Sequence, residues 1–148
     1  MEYTEATIQW ILGKTYGIER GYITMPNVLL MEDGMYEADF IYINKNNYLT
    51  EVEIKISLSD FKADFDKKHY HDNSKVRALY YAMPKELFYK HEKTILDMTR
   101  SVGAGVIICG EAISEVWEKP KMRKVEPLTT DEILHYARLG CFKWINKW

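Results

Sequence analysis

A chain of 148 residues in which 47% are hydrophobic and 28% charged has the balance of one globular domain, spanning 1–148, that can bury a core. A net charge of −2 excludes a generally basic surface, so a polyanion has to be met locally. The longest apolar runs, "VRALYYAM" and "GAGVIIC", fall short of the ~20 residues a bilayer span needs. The start "MEYTEATIQW" has no basic stretch leading into an apolar block, so the expected location is the cytoplasm, with no membrane partner.

The first helix is expected over residues 4–14, with Thr4 as N-cap, Ile8, Ile11 and Leu12 on one face, and Gly13 and Gly17 around its end. A strand around "GYITMPNVLLM" follows, with "EDG" as its turn. "YEADFIYIN", "KNN" and "YLTEVEIKIS" then form a β-hairpin about an asparagine-rich turn. "SLSDFKADFDKKHYHD" predicts a helix with Leu58, Phe61 and Phe65 on one face and Ser57 to Asp60 in capping spacing.

A buried strand "VRALYYAM" comes next, then a helix opened by Pro84 that stacks Leu87, His91, Ile95 and Met98. "GAGVIIC" and "ISEVWEK" read as two further strands, and residues 129–147 as a closing helix with Thr129 and Glu132 in a capping box. The hairpin requires antiparallel pairing in the first half. Continuous apolar strands between helices require a sheet covered on both faces in the second. The fold class is α/β: a mixed β-sheet flanked by helices on both faces.

The hairpin carries the chemistry. If its turn is Lys45 to Asn47, Asn44 faces Tyr48, paired positions sum to 92, and Asp39 lies opposite Glu53. Like charges opposed at about 5 Å repel, and a divalent cation with hard oxygen ligands relieves them. Glu51, Glu53 and Lys55 share one strand face, because side chains alternate. Such a centre suits metal-assisted hydrolysis, with Lys55 orienting or deprotonating a water or steadying negative charge. The other reading of "EVEIK" is the wet face of an ordinary strand. An acid-x-Lys triplet is weak by itself and recurs at Asp60 to Lys62 and Asp66 to Lys68. A two-residue turn would slip the register and throw Asp39 off the site.

Asp39, then Glu53-Ile54-Lys55, on a hairpin preceded by a helix and followed by helix and strand, resembles the PD-(D/E)XK nuclease superfamily, the restriction-endonuclease-like fold. "EIKISLSDFKADF", "KKHYHD" and "VRALYYAMP" are similar to small MmcB-like members found in bacteria and phage and linked to DNA repair. The resemblance implies a metal-dependent DNA nuclease acting in repair, recombination or phage DNA metabolism. It implies Mg²⁺ or Mn²⁺ held by Asp39, Glu53 and the Ile54 carbonyl, with Lys55 assisting catalysis. Glu51 is an extra acid for a second ion or a salt bridge, and Glu5 on the first helix is a further metal candidate. Ala38 stands where the family motif has proline.

Lys62, Lys68, His69 and His71 are candidates to touch a DNA backbone. A nuclease this small that cuts both strands often works as a homodimer. The rival reading is an inactive nuclease-fold module that binds DNA or a protein.

Other patterns carry less. Residues 62–77 hold five Lys/Arg and two His against three Asp, and "KPKMRK" holds four Lys/Arg and no acid; such runs are usually solvated faces. His69 and His71, two apart on a helix, diverge and find no further ligands for zinc. His91 and His135 read as helix-face residues. Tyr80 and Tyr81 read as buried strand residues, and Trp144 and Trp148 as packing or dimer contacts. "GAGVIIC" has its glycines before the strand, so no nucleotide cofactor is expected. Cys109 and Cys141 are expected to be reduced core residues.

Overall fold

The computed structural model describes residues 2–30, 36–67 and 70–147. Six strands form one mixed sheet whose spatial order is the order of the sequence. They are β1 (Ile23–Leu29), β2 (Glu37–Ile43), β3 (Leu49–Ile54), β4 (Val76–Pro84), β5 (Gly105–Cys109) and β6 (Ser114–Glu118). β1, β2 and β3 are an antiparallel meander, β3, β4 and β5 run parallel, and β6 returns antiparallel at the edge. The parallel steps need crossovers. α2 (Leu58–Asp64) supplies the first, and α3 (Lys85–Lys90) with α4 (Glu92–Ser101) the second.

The hairpin has the three-residue turn that its asparagines favour. Asn44 N–H donates to the Tyr48 carbonyl at 3.1 Å, Asn47 takes φ +67°, and pairs such as Phe40 with Val52 and Ile41 with Glu51 sum to 92. The "EDG" turn expected before it lies outside the described residues.

The described residues form three apolar clusters. On one face α1 (Glu5–Leu12) lays Ile8, Ile11 and Leu12 on Phe40, Val52, Ile54 and Tyr80. On the other, α2, α3 and α4 bring Phe61, Phe88 and Ile95 onto Leu79, Tyr81 and Met83. The same face carries a separate cluster of Met25, Ile41, Ile43 and Leu49 under α5 (Thr130–Ile145). α5 wraps round the β1 edge. Tyr136 packs on one face, Gly140 closes onto the β1 backbone, and Trp144 meets Gly13 and donates to the Thr24 carbonyl at 2.9 Å.

Several expectations change in detail. The first helix does not end at Gly13 but runs on as a π-helical segment, Gly13–Glu19. Gly13 has ordinary helical angles and makes room for the Trp144 ring, which a Cβ would meet at 2.9 Å. α2 stops at Asp64, well short of the helix expected to run on to residue 72, and His91 separates α3 from α4. Cys141 is exposed, whereas Cys109 is buried, and both are free thiols. No helix among the described residues is long and apolar enough to cross a membrane.

Candidate metal centre

β3 lies between β2 and β4 and is buried along its whole length. Its alternation therefore does not give a wet face. Leu49 joins the α5-side cluster, Leu79 and Tyr81 on β4 join the α2-side cluster, and Glu51, Glu53 and Lys55 occupy the seam between them. They are 0%, 2% and 5% exposed. Charges so deeply buried are tolerated only when paired, and each has a partner.

Lys55 Nζ reaches Glu53 Oε1 at 3.0 Å and Asp64 Oδ1 at 3.3 Å. Lys67, half exposed at the surface, sends its ammonium in to the same two oxygens, at 3.3 and 2.5 Å. His71 is clamped between carboxylates, Nδ1 to Glu51 Oε1 at 2.5 Å and Nε2 to Asp64 Oδ2 at 2.6 Å. Tyr36 donates to Glu51 Oε2 at 2.8 Å, and Tyr81 donates to Asp64 Oδ2 at 2.6 Å. The Tyr70 hydroxyl in turn meets that of Tyr81.

Asp39 stands where the register requires. Its Oδ2 accepts the Ile54 N–H at 2.8 Å. In an extended strand a residue's N–H and C=O point to the same side, so the Ile54 carbonyl faces the Asp39 side too. Behind Asp39, Gln9 on α1 is fully buried and donates to the Asp39 carbonyl at 2.7 Å, to Asn27 Oδ1 at 3.0 Å and to Glu5 Oε1 at 3.1 Å. Asn27 holds the left-handed angle φ +48° and donates to Glu5 Oε1 at 2.8 Å.

Electrostatics sort these groups. Burial, then the charge of Glu53, pushes the Asp39 carboxyl up from 3.8 to about 8, and Glu5 adds to the rise. Burial also raises Glu53, against the pull of Lys55 and His71. Lys55 is raised: burial opposes its charge, but Glu53 and Asp64 outweigh it. It is therefore a held ammonium rather than a base. For Asp64 burial is likewise overcome, here by bonds from His71, Lys67 and Tyr81, and its carboxyl sits below the usual range. His71 is raised to about 10, the two carboxylate bonds outweighing burial. Among the described residues, Lys55, Lys67 and His71 thus serve Glu51, Glu53 and Asp64, while Asp39 gains a backbone amide and the field of Lys55.

Among the described residues three buried side-chain oxygens lack a hydrogen-bond partner: Gln9 Oε1, Asp64 Oδ1 and Glu53 Oε2. Asp64 Oδ1 still meets two ammonium groups, which leaves Glu53 Oε2 as the carboxylate oxygen with no counterpart. A carboxylate oxygen left so, beside a second carboxyl whose proton is retained by burial and by the charge of Glu53, fits a hard divalent cation, which seeks carboxylate and carbonyl oxygens. Asp39, Glu53 and the Ile54 carbonyl are the residues that would hold it, with Glu5 behind.

The structure thus brings together Asp39, Glu53, Ile54 and Lys55, with Glu5 near. Glu51 turns to His71 and Tyr36. His71 corrects an expectation: at 2% exposure, with both ring nitrogens on carboxylates, it cannot reach a DNA backbone. Lys62 is exposed on α2, and Lys68 and His69 lie outside the described residues. Asp64, Lys67, Tyr36 and Tyr81 were missed. A signal existed for Asp64: it sits three residues after Phe61, an acid on the apolar face of α2.

A second polar feature lies at the other end of β3 and β4. An open cavity of about 630 Å³ is lined by Tyr48, Lys75, Arg77, Arg123 and Lys124 among others. Arg77 stacks 4.0 Å over Tyr48, Lys75 pairs with Glu132 at 3.5 Å, and Arg123 donates to the His71 carbonyl at 2.9 Å. Half of the "KPKMRK" run lines this open groove, with Met122 and Lys124 exposed to solvent.

No family model matches the chain, and no curated protein does. Among solved structures, a protein of unknown function from Silicibacter pomeroyi is similar, with a TM-score of 0.62 and 13% identity over 99% of this chain and 87% of that one. At that identity the likeness concerns the fold alone. The fold is α/β, a mixed sheet flanked by helices.

Proposed function

We propose that this chain is a metal-dependent DNA nuclease of the PD-(D/E)XK type, hydrolysing phosphodiester bonds with Mg²⁺ or Mn²⁺ at Asp39, Glu53 and Lys55. The observation that carries this reading is the buried, unpartnered Oε2 of Glu53, on the strand that also sets Lys55 beside Glu53 and opposite the hairpin strand carrying Asp39. A cation bound there supplies a polarised phosphoryl oxygen and an acidified water. Lys55, kept protonated by Glu53 and Asp64, orients reactants and steadies negative charge; it does not abstract the proton. Ile54 N–H fixes one Asp39 oxygen, and Gln9 fixes the Asp39 backbone.

The test is cleavage of labelled duplex, flap, junction and single-stranded DNA with Mn²⁺ or with a chelator. Glu53→Gln and Lys55→Ala should each lower the rate by about 100-fold or more, with circular dichroism unchanged. Wild-type protein that cuts none of these forms with either ion overturns the enzymatic reading.

The basic groove favours a second reading, a non-catalytic DNA-binding module, because Lys75, Arg77, Arg123 and Lys124 gather at the other end of β3 and β4, where Arg123 touches the seam through the His71 carbonyl. Salt-dependent binding that persists in chelator and survives Glu53→Gln, without cleavage, would establish it.

A further inference from the structure

Glu51 and His71 are deeply buried and are not used by the proposed reaction. Glu51, Glu53 and His71 each offer a ligand atom within 4.8 Å of the others, and they are 0%, 2% and 2% exposed. Glu53 keeps its one unpartnered oxygen. We propose that these three side chains form a second cation site, of mixed nitrogen and oxygen character, for a transition-metal dication of the Mn²⁺ or Zn²⁺ class. The inference names a second ion of the same centre, shared through Glu53, and rests on the reading of Glu53 as a cation ligand.

The geometry is close to what such an ion requires. Two donors bound side by side to one octahedral ion at about 2.1 Å sit about 3 Å apart. Glu51 Oε1 and His71 Nδ1 are 2.5 Å apart with a proton between them. Opening that pair by about half an ångström converts a hydrogen-bonded couple into adjacent ligands; the displaced proton leaves to solvent. The other ring nitrogen already has its partner, because Nε2 donates to Asp64 at 2.6 Å. A carboxylate on the far side of a ligating histidine fixes the tautomer and aims the ring. Asp64 is itself held by Tyr81 at 2.6 Å, and Tyr36 holds the second oxygen of Glu51 at 2.8 Å. Arg123 pins the His71 backbone.

An imidazole in the ligand set distinguishes this site from the first. Mg²⁺ prefers oxygen donors and retains its waters, whereas imidazole suits Mn²⁺ less than Zn²⁺ but far better than it suits Mg²⁺. Asp39, Glu53 and Ile54 then form the all-oxygen site, and Glu51, Glu53 and His71 the selective one.

Mn²⁺ is the probe, added to the full chain with every histidine either ¹⁴N or ¹⁵N. Equilibrium dialysis should count two Mn²⁺ per chain, and pulsed EPR should show nitrogen coupling that changes with the histidine isotope. His71→Gln should reduce the count to one and erase the coupling. Glu51→Gln, which keeps the side-chain shape, should do the same and covers the case in which His71→Gln fails to fold. Asp39→Asn should remove the other ion and leave the coupling. Two ions without nitrogen coupling, or coupling that persists in His71→Gln, overturns the second site. A single uncoupled ion lost in Asp39→Asn overturns it while the reading of Asp39 and Glu53 stands. A single coupled ion that survives Asp39→Asn does the reverse, and no bound Mn²⁺ sinks both.

Discussion

Asp64 meets more of the buried charge than any residue of the hairpin: both lysines, His71 and the Tyr81 hydroxyl converge on its two oxygens. Removing one member of a buried charge pair leaves its partners without compensation, at a cost of about 3–5 kcal/mol. Asp64→Ala is therefore expected to lower unfolding stability by that order, and to do so more than Asp39→Ala. Urea unfolding of both variants checks it; an Asp64→Ala midpoint equal to wild type would show that the network is not what holds this seam. Lys55 was legible from its spacing to Glu53, since a strand's period of two puts them on one face. An acid on the apolar face of α2 marked Asp64 for burial, but its contact with Lys55 depends on how α2 docks, and no local pattern encodes that.

Among the elements, the hairpin could be read most fully. Its alternating residues and asparagine turn fix the register, and the register alone places Asp39 across from Glu53. What the alternation could not give was burial: a central strand in a covered sheet shows the same pattern as an amphipathic one, and only the packing of α2 and α5 on that face decides. Glycines misled in the first helix for a related reason, since Gly13 serves a close approach by Trp144 rather than a helix end. Gly105 makes the same kind of statement on β5. A Cβ there would lie 2.6 Å from the Glu118 carbonyl, 2.8 Å from Pro120 N and 2.8 Å from the Tyr80 ring. Two of these are backbone atoms that cannot step aside. Gly105→Ala should lower the melting temperature by several degrees, corresponding to about 1–3 kcal/mol; an unchanged melt would mean that β6 can shift.

For the whole molecule, the buried charges set a pH profile. Asp39, raised from 3.8 to about 8, binds a proton in the folded chain that the unfolded chain has already released, so stability falls as pH climbs through that window. His71, raised from 6.5 to about 10, contributes stability that is complete below 6.5 and lost as pH rises through 10. Asp64, lowered from 3.8, contributes stability present above that value and lost as pH falls below it. In chelator the melting temperature should therefore peak near pH 3.8, where the gain from Asp64 is complete, and fall from there as Asp39 and then His71 lose their advantage. Mn²⁺ on Asp39 and Glu53 opposes the first trend, so its stabilisation should be larger at about pH 8 than at about pH 5. A melting temperature that rises steadily across the alkaline range in chelator contradicts these assignments.

The order of synthesis adds a consequence of the way α5 wraps the first strand. A ribosome makes the entire acidic centre, and all six strands, before it makes the helix that shields the outer margin of β1. Until then that margin offers unsatisfied amides and carbonyls to any neighbouring chain, the usual start of edge-to-edge aggregation. A version ending at residue 128 should accordingly precipitate or depend on chaperones, and adding residues 129–147 as a separate peptide should rescue its solubility.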